Sequence, residues 1–153
     1  MDIIDRKLIQ LLQENARYPI KYLSEVVGLS SPAVSVRLVR LEKRGIIGGY
    51  NTRIVPAGLG YHLKAYISVK LFMDQEQPMI EFLEKHPSVV ECDFVTGDAS
   101  VIIRAYFTDT HALFLFINDL KHYGIITSQV SLSTPIELRP LRVPDSVIDG
   151  ATE

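Results

Sequence analysis

Residues 20–47 read IKYLSEVVGLSSPAVSVRLVRLEKRGII, and this stretch decides the fold of the N-terminal part of the chain. Apolar residues recur at helical spacing from Leu23 to Val27, and Gly28 follows where a first helix must end and reverse. Ser31 offers a side-chain oxygen for the N-cap of a second helix, and Pro32 suits its first helical position. The pattern predicts two short helices joined by a tight turn.

The second of these helices has an apolar side and a basic side. Val34, Leu38 and Leu41 fall on one stripe. The cations on its flank and back are Arg37, Arg40, Lys43 and Arg44. A small helix with these two sides is shaped to enter the major groove of DNA, whereas the plainer alternative is a solvated helix surface.

The distribution of charge favours the DNA interpretation. Residues 1–55 hold nine lysines and arginines against five acids, a net charge of +4. Residues 56–153 hold seven against thirteen, a net charge of −6, so the total of −2 conceals a basic front and an acidic back. We therefore expect the front of the chain to contact double-stranded DNA.

Composition narrows the class of protein. The 153 residues are 47% hydrophobic and 22% charged, which suits packed domains and argues against disorder. The apolar runs are far shorter than the roughly 20 residues that cross a bilayer, and the N-terminus lacks a signal-peptide layout. The short apolar runs predict no membrane association. Cys92 is the single cysteine, so we expect no disulfide and a reducing, cytoplasmic location.

The order of elements predicts an α+β chain with two domains. In residues 1–55, Asp2 can cap a helix that ends near Asn15, and residues 46–55 then resemble a short wing or strand after the two helices. This part is therefore predicted to be a three-helix, winged helix-turn-helix domain. Pro56, Gly58 and Gly60 mark a linker over residues 56–62.

Residues 63–142 have a different periodicity. The predicted elements are strand 65–73, helix 77–86, strands 89–95 and 100–107 around a two-residue Gly97-Asp98 turn, helix 110–122, and a final strand at about 128–138. This β-α-β-β-α-β order is the ferredoxin-like arrangement, with both helices on one face of an antiparallel sheet. Residues 143–153 are predicted to be a disordered tail.

The predicted sheet leaves one face without a covering layer. Tyr66, Phe72, Ile102 and Tyr106 alternate with residues that are also apolar, although a face that meets water would be polar. A second copy of the chain covers such a face most economically, so we predict a dimer. The alternative cover is the chain's own N-terminal domain.

Several motifs together resemble the Lrp/AsnC family, the leucine-responsive and feast/famine regulators of bacteria and archaea. They are Asp2-x-x-Asp5-Arg6-Lys7-Leu8, Asn15-Ala16-Arg17, Gly28-Leu29-Ser30, Val34-x-x-Arg37-Leu38-x-x-Leu41-Glu42-x-x-Gly45-Ile46-Ile47 and Gly49-Tyr50. The resemblance covers nearly the whole chain. It implies a DNA-binding transcriptional regulator with a ligand-sensing ferredoxin-like domain, which forms dimers or octamers and responds to amino acids.

The resemblance also implies roles for individual residues. Those that would face base edges, or let the backbone approach them, are Ser30, Ser31, Pro32, Ser35 and Val36. Those that would contact phosphates are Lys21, Arg37, Arg40, Lys43 and Arg53. Few of these can read a base in a bidentate manner, so we expect affinity from phosphates and specificity partly from DNA shape. For Arg37 the alternative is a structural pair with Glu42 or Asp5.

The implied effector site lies in the loop between the middle strands. The candidate residues are Thr96, Gly97, Asp98, Ala99 and Ser100. The family loop reads roughly Gly-Asp-Tyr-Asp, and its second Asp helps to hold the ammonium group of an amino acid. A serine at position 100 cannot supply that charge, so either Asp98 replaces it, or the effector differs, or the loop is only a turn.

Two other functions are alternatives to DNA-binding regulation. Some relatives with this two-domain layout act on tetrapyrroles, but the histidines have no metal-ligand spacing and no catalytic motif stands out. The sequence therefore predicts no catalytic residue, no metal and no resident cofactor. The other alternative is a ligand-binding adaptor that has lost contact with DNA.

Overall fold

A computed structural model describes residues 1–144 of the chain. They form two compact units. The first unit comprises Met1–Arg53 and residues 136–144, and the second unit comprises Ile54–Pro135. The boundaries at residues 55, 62 and 142 stay predictions.

Three helices make up the first unit: α1 (Ile3–Glu14), α2 (Ile20–Val27) and α3 (Ser31–Lys43). Asp2 caps α1 as predicted, because the Asp5 amide donates to Asp2 Oδ1 at 2.8 Å and the Asp2 amide donates to Asp5 Oδ2 at 3.3 Å. The buried core of the unit consists of Leu8, Leu11, Leu23, Val34, Leu38 and Leu41. The predicted apolar stripe of α3 is therefore confirmed.

The wing predicted at residues 46–55 is wrong, since that segment contains no strand. The amides of Ile46 and Ile47 both donate to the carbonyl of Leu41, at 3.0 and 3.3 Å. The chain thus closes the C-terminal end of α3 at the point where the wing would begin. A strand needs a neighbour with which to exchange backbone hydrogen bonds, and the sequence pattern alone does not supply one.

The second unit is a four-stranded sheet with two helices. Its elements are a 3-10 helix (Pro56–Leu59), β1 (Leu63–Leu71), α4 (Glu76–Lys85), β2 (Val89–Phe94), β3 (Val101–Phe107), α5 (Thr110–Leu120) and β4 (Gly124–Val130). The strand order is β2-β3-β1-β4, and every neighbouring pair is antiparallel. The predicted ferredoxin-like arrangement is confirmed.

The helices α4 and α5 cover one face of this sheet. Alternate residues of β1 and β3, among them Ile67 and Ile103, are fully buried with Met79 of α4 and Phe116 of α5. Alternation along each strand places the remaining side chains on the opposite face. Only one face therefore contributes to the core of the second unit.

The final strand begins earlier than the sequence pattern suggested. It occupies Gly124–Val130 instead of residues 128–138, because Tyr123 turns back to Leu120 and β4 then pairs with β1 immediately. Beyond it, Pro135 has no amide to donate to a ladder. The predicted tail at 143–153 lies outside the described residues from residue 145 onward.

The strands on either side of the Gly97-Asp98 pair end within one residue of the predicted positions, but the connection between them is not the predicted two-residue turn. The Val95 amide donates to the Ser100 carbonyl at 3.0 Å, which closes a loop over residues 96–99 in place of a two-residue turn. Gly97 has a φ of 117°, a conformation that favours glycine. The Gly-Asp pair therefore lies inside a wider loop.

Candidate functional site

The turn between α2 and α3 has the geometry of a helix-turn-helix. Gly28 ends α2 in the left-handed conformation, with a φ of 69°. Ser30, and not Ser31 as predicted, is the N-cap of α3, and its hydroxyl accepts the Ala33 amide at 3.4 Å. The Ser31 Oγ lies 3.2 Å from the Oγ of the buried Ser24, so this hydroxyl contributes to the contact between the two helices.

The outward side of α3 carries both apolar and basic side chains. Val36 is 70% exposed and Val39 is 47% exposed, although valine side chains are normally buried. The exposed residues on this side are Pro32, Ser35, Val36, Val39, Arg40 and Lys43. They follow one another at helical spacing, so they form one continuous surface, which we call the α3 face.

Four charged residues join α1 to α3. Arg37 Nη1 donates to Asp2 Oδ2 at 2.5 Å and to Asp5 Oδ1 at 2.8 Å, while Arg40 Nη2 donates to Asp5 Oδ2 at 2.7 Å. We call Asp2, Asp5, Arg37 and Arg40 the Asp5 cluster. Glu42 instead accepts the hydroxyl of Tyr50 at 2.7 Å, so the alternative partner of Arg37 is Asp5 and not Glu42.

The contacts within the Asp5 cluster shift the pKa values of Asp2 and Arg37. The pKa of Asp2 is lowered, chiefly because its carboxylate accepts the Asp5 amide and further because it pairs with Arg37. Hydrogen bonds to Asp2 and Asp5 raise the pKa of Arg37. The pair of Asp2 and Arg37 thus favours the charged form of both partners.

The other predicted DNA-contact residues are distributed as follows. Lys21 is exposed on α2, and Ser30 is exposed at the start of α3. Arg53 is exposed but forms an ion pair with Glu137. Val39 is a further exposed residue that was not among the predicted contacts, although helical spacing from the buried stripe of α3 places it on the outward side.

A second unexpected feature of the first unit is the return of residues 136–144. The side-chain amide of Gln13 donates to the Leu141 carbonyl at 3.1 Å and accepts the Leu141 amide at 2.8 Å. Between this segment, α1 and residues 46–51 lies a mostly apolar cavity of about 550 Å³. A local sequence pattern cannot predict the contact between Gln13 and Leu141, because the two residues are far apart in sequence.

The loop at the predicted effector site is held by Ser100. Its amide donates to the Val69 carbonyl at 2.9 Å, and its hydroxyl accepts the Leu71 amide at 3.3 Å. Thr96, Gly97 and Asp98 are exposed, whereas Ala99 and Ser100 are half-buried. Asp98 is therefore the carboxylate that this loop presents to solvent, and Ser100 serves the backbone.

The uncovered face of the sheet is mixed in character, and less apolar than expected. Tyr66 is 38% exposed and Ile102 is 36% exposed, yet they share the sheet with an ion pair in which Arg104 Nη2 lies 3.1 Å from Glu91 Oε2. Phe72 lies beyond the end of β1, so it does not belong to this face. Apolar and charged groups are thus interleaved.

The residues that could support metal chemistry do not converge. Among residues 1–144, no group of three or more histidine, cysteine or acidic side chains could hold a metal ion. His86 packs on Phe116 with ring centroids 4.5 Å apart, and burial lowers its pKa. None of the helices in this part of the chain has the length and hydropathy that crossing a bilayer requires.

Comparison with protein families gives two matches. A model described as the AsnC-type helix-turn-helix domain matches residues 1–42, and one described as the Lrp/AsnC ligand binding domain matches residues 64–141. The HTH-type transcriptional regulator LrpA of Bacillus subtilis (strain 168) is 31% identical over 125 residues, which cover 81% of this chain and 92% of that relative.

Solved structures give the same result. A transcriptional regulator of Neisseria meningitidis, crystallised as a complex with L-Met, has a TM-score of 0.87 and 30% identity, and the match covers 92% of this chain and 96% of that one. The AsnC protein of E. coli has a TM-score of 0.83 and 26% identity, with 94% and 99% covered. Both units of the chain therefore have counterparts in these proteins.

Proposed function

Because this chain belongs to the Lrp/AsnC family and is a transcriptional regulator of that type, we propose that it binds DNA through the α3 face. The observation that carries this proposal is the exposure of Val36 and Val39 beside Arg40 and Lys43. Exposed valines suit contact with thymine methyl groups in the major groove, and the neighbouring cations suit the phosphates.

The proposed base contacts of the α3 face discriminate only weakly between base pairs. Pro32, Val36 and Val39 make apolar contacts, and Ser30 and Ser35 make undemanding hydrogen bonds. The phosphate contacts come from Lys21, Arg40 and Lys43, with Arg53 available when its exposed pair with Glu137 exchanges. Affinity then depends strongly on salt, and part of the specificity comes from the shape of the duplex.

The test is a charge placed on the α3 face. Val36→Glu puts a carboxylate where the duplex would lie, and since this position is 70% exposed the fold should tolerate it. We expect the affinity for a duplex from the chain's own promoter region to fall at least about a hundredfold. The apolar contact of Val36 is lost, and the added carboxylate makes the electrostatic potential of the α3 face less positive. Fluorescence anisotropy over a range of salt concentrations measures this.

The matched control is Leu115→Glu, the same change at a half-exposed position on α5 of the second unit. It should bind the duplex like the wild type. Equal affinities for wild type and Val36→Glu would reject the α3 face. No binding by the wild type up to micromolar concentrations would instead favour the ligand-binding adaptor.

We further propose that two copies pair through the uncovered face of the sheet. Tyr66 and Ile102 supply apolar contact area, while Glu91 and Arg104 supply charges that fix the register. A two-fold dimer presents two α3 faces to half-sites one helical turn, about 34 Å, or a multiple apart. Octamers stay a prediction, as do the cytoplasmic location and the absence of catalysis.

We also propose an amino acid as the effector, with Asp98 as the partner of its ammonium group. The match to the Lrp/AsnC ligand binding domain and the L-Met complex of the Neisseria relative support an amino acid. Ser100 carries no charge and its hydroxyl already accepts the Leu71 amide, so Asp98 is the group of the loop that can supply the negative charge.

Thermal unfolding with and without L-Met tests this site. At a concentration a hundredfold above its Kd a ligand adds about 2.7 kcal/mol of stability, which raises the Tm measurably. Asp98→Asn should abolish the increase, and the control Glu84→Gln on α4 should retain it. A 2-oxo acid of the same side chain should give no increase, because it lacks the ammonium group; an equal response to both would contradict the role of Asp98.

A further inference from the structure

The carboxylate of Asp5 is completely buried, yet it is surrounded by charge. Its Oδ1 accepts Arg37 Nη1 at 2.8 Å, and its Oδ2 accepts Arg40 Nη2 at 2.7 Å and the Asp2 amide at 3.3 Å. A buried carboxylate is costly unless its oxygens are paired. Both arginines of α3 therefore have a structural reason to point back at α1.

Arg37 and Arg40 differ in their exposure to solvent and in the number of carboxylates with which they pair. The side chain of Arg37 is 24% exposed, and a single nitrogen of it serves both Asp2 and Asp5. The side chain of Arg40 is 49% exposed and donates to Asp5 through Nη2, while its position places it on the α3 face. The guanidinium of Arg40 carries further N–H donors that no hydrogen bond to Asp5 uses.

We propose that Asp5 is a positioning residue for DNA binding: it holds the guanidinium of Arg40 in place for a phosphate and retains Arg37 as its own counter-ion. The inference rests on the α3 face proposed above. A guanidinium fixed in advance loses less rotamer freedom when the duplex binds, and its planar fork matches a phosphate. Arg37 then contributes stability to the first unit and no phosphate contact.

The salt dependence of DNA affinity separates the two arginines. Each phosphate contact contributes about −0.9 to the slope of log K against log salt. Arg40→Gln should make the slope shallower by about 0.9 per protomer. Arg37→Gln should leave the slope unchanged and lower the Tm, and Lys85→Gln in the second unit controls for the loss of one positive charge.

A slope that becomes shallower by the same amount in Arg37→Gln, with an unchanged Tm, would overturn the proposal. If Arg37→Gln does not fold, the slope of Arg40→Gln decides, and a slope equal to that of the wild type would overturn the proposal. A wild-type chain without salt-dependent binding would reject the α3 face itself, which is a different failure.

The positioning role of Asp5 has its own readout. Asp5→Asn should bind the duplex about tenfold more weakly at a temperature where circular dichroism shows it folded, since a single uncharged amide oxygen replaces the two carboxylate oxygens that now hold Arg37 and Arg40. An unchanged affinity would mean that Asp5 is merely structural. If Asp5→Asn is unfolded, Arg40→Lys keeps the charge without the fork, and a wild-type affinity in that variant would contradict the proposal.

Discussion

Gly124 lies so close to β1 that no side chain fits there. A Cβ at this position would come within 2.4 Å of the Lys70 carbonyl oxygen and 2.8 Å of Val69 Cγ1. We predict that Gly124→Ala lowers the free energy of unfolding by about 1–3 kcal/mol, because the backbone of β1 or β4 must shift. Gly58→Ala is the control, since no atom lies within 4 Å of the position that its methyl group would take. Equal stability of the two variants in urea unfolding would contradict the close approach.

Tyr50 gives a prediction for alkaline pH. Partial desolvation of the half-exposed side chain, together with the hydrogen bond to Glu42, raises the pKa of Tyr50 to about 12 from an ordinary value of 10.0. Because the folded-state pKa is the higher one, the contribution to stability is complete below pH 10.0 and is lost as the pH rises toward 12. Phenolate absorbance, compared between wild type and Tyr50→Phe, should show this late titration; a transition near the ordinary value would contradict it.

Local chemistry explains which single residues the sequence could predict. The capping of α1 by Asp2 follows from residue types three positions apart, so the pattern was sufficient. The partner of Arg37 could not be decided in this way, because the sequence offers both Asp5 and Glu42 as acidic partners and does not say which of them lies beside Arg37. Packing of α1 on α3 settles it, and that packing is a property of the folded unit.

At the scale of elements, the N-terminus of α3 offers a direct test. The Ser30 hydroxyl satisfies the Ala33 amide, which would otherwise lack a partner. We expect Ser30→Ala to lower the free energy of unfolding by about 1 kcal/mol and Ser30→Asp to restore or exceed wild-type stability, because an acid also suits the helix dipole. Thermal unfolding of both variants measures this. Equal stability of Ser30→Ala and the wild type would contradict the role of Ser30 as the N-cap of α3.

Periodicity was a reliable guide to the helices and less so to the ends of strands. The buried stripes of α3, α4 and α5 repeat at the helical period, so both their existence and their inward faces were predictable. The same period places Val39 on the side of α3 opposite to that stripe, so its exposure was predictable as well. The final strand was placed too late, since the apolar alternation near Leu132 continues past the last residue that pairs with β1.

At the scale of the whole molecule, the uncovered sheet face predicts how the chain assembles. Ile102→Glu places a charge at the centre of that face, beside the pair of Glu91 and Arg104. We expect it to raise the dissociation constant of the dimer at least about tenfold in sedimentation measurements, because a carboxylate would be desolvated at the interface. Phe114→Glu on α5, which is 56% exposed, is the control. An unchanged dimer in Ile102→Glu would contradict pairing through this face.

The order of the two units was readable from the sequence because each has its own period. The helical spacing of residues 1–43 and the alternation of β1 and β3 depend only on neighbours along the chain. The return of residues 136–144 to the first unit depends on Gln13 and Leu141, which are far apart in sequence. Such contacts, like the Asp5 cluster, appear only when the fold is known.

The most direct measurement of the central claim is hydrogen exchange of the chain with and without a duplex from its own promoter region. If the α3 face enters the major groove, amides in residues 31–43 should gain protection, while α4 should not change. Val36→Glu should abolish that gain. Protection confined to the second unit, or none at a DNA concentration that saturates binding, would contradict the assignment of DNA binding to α3.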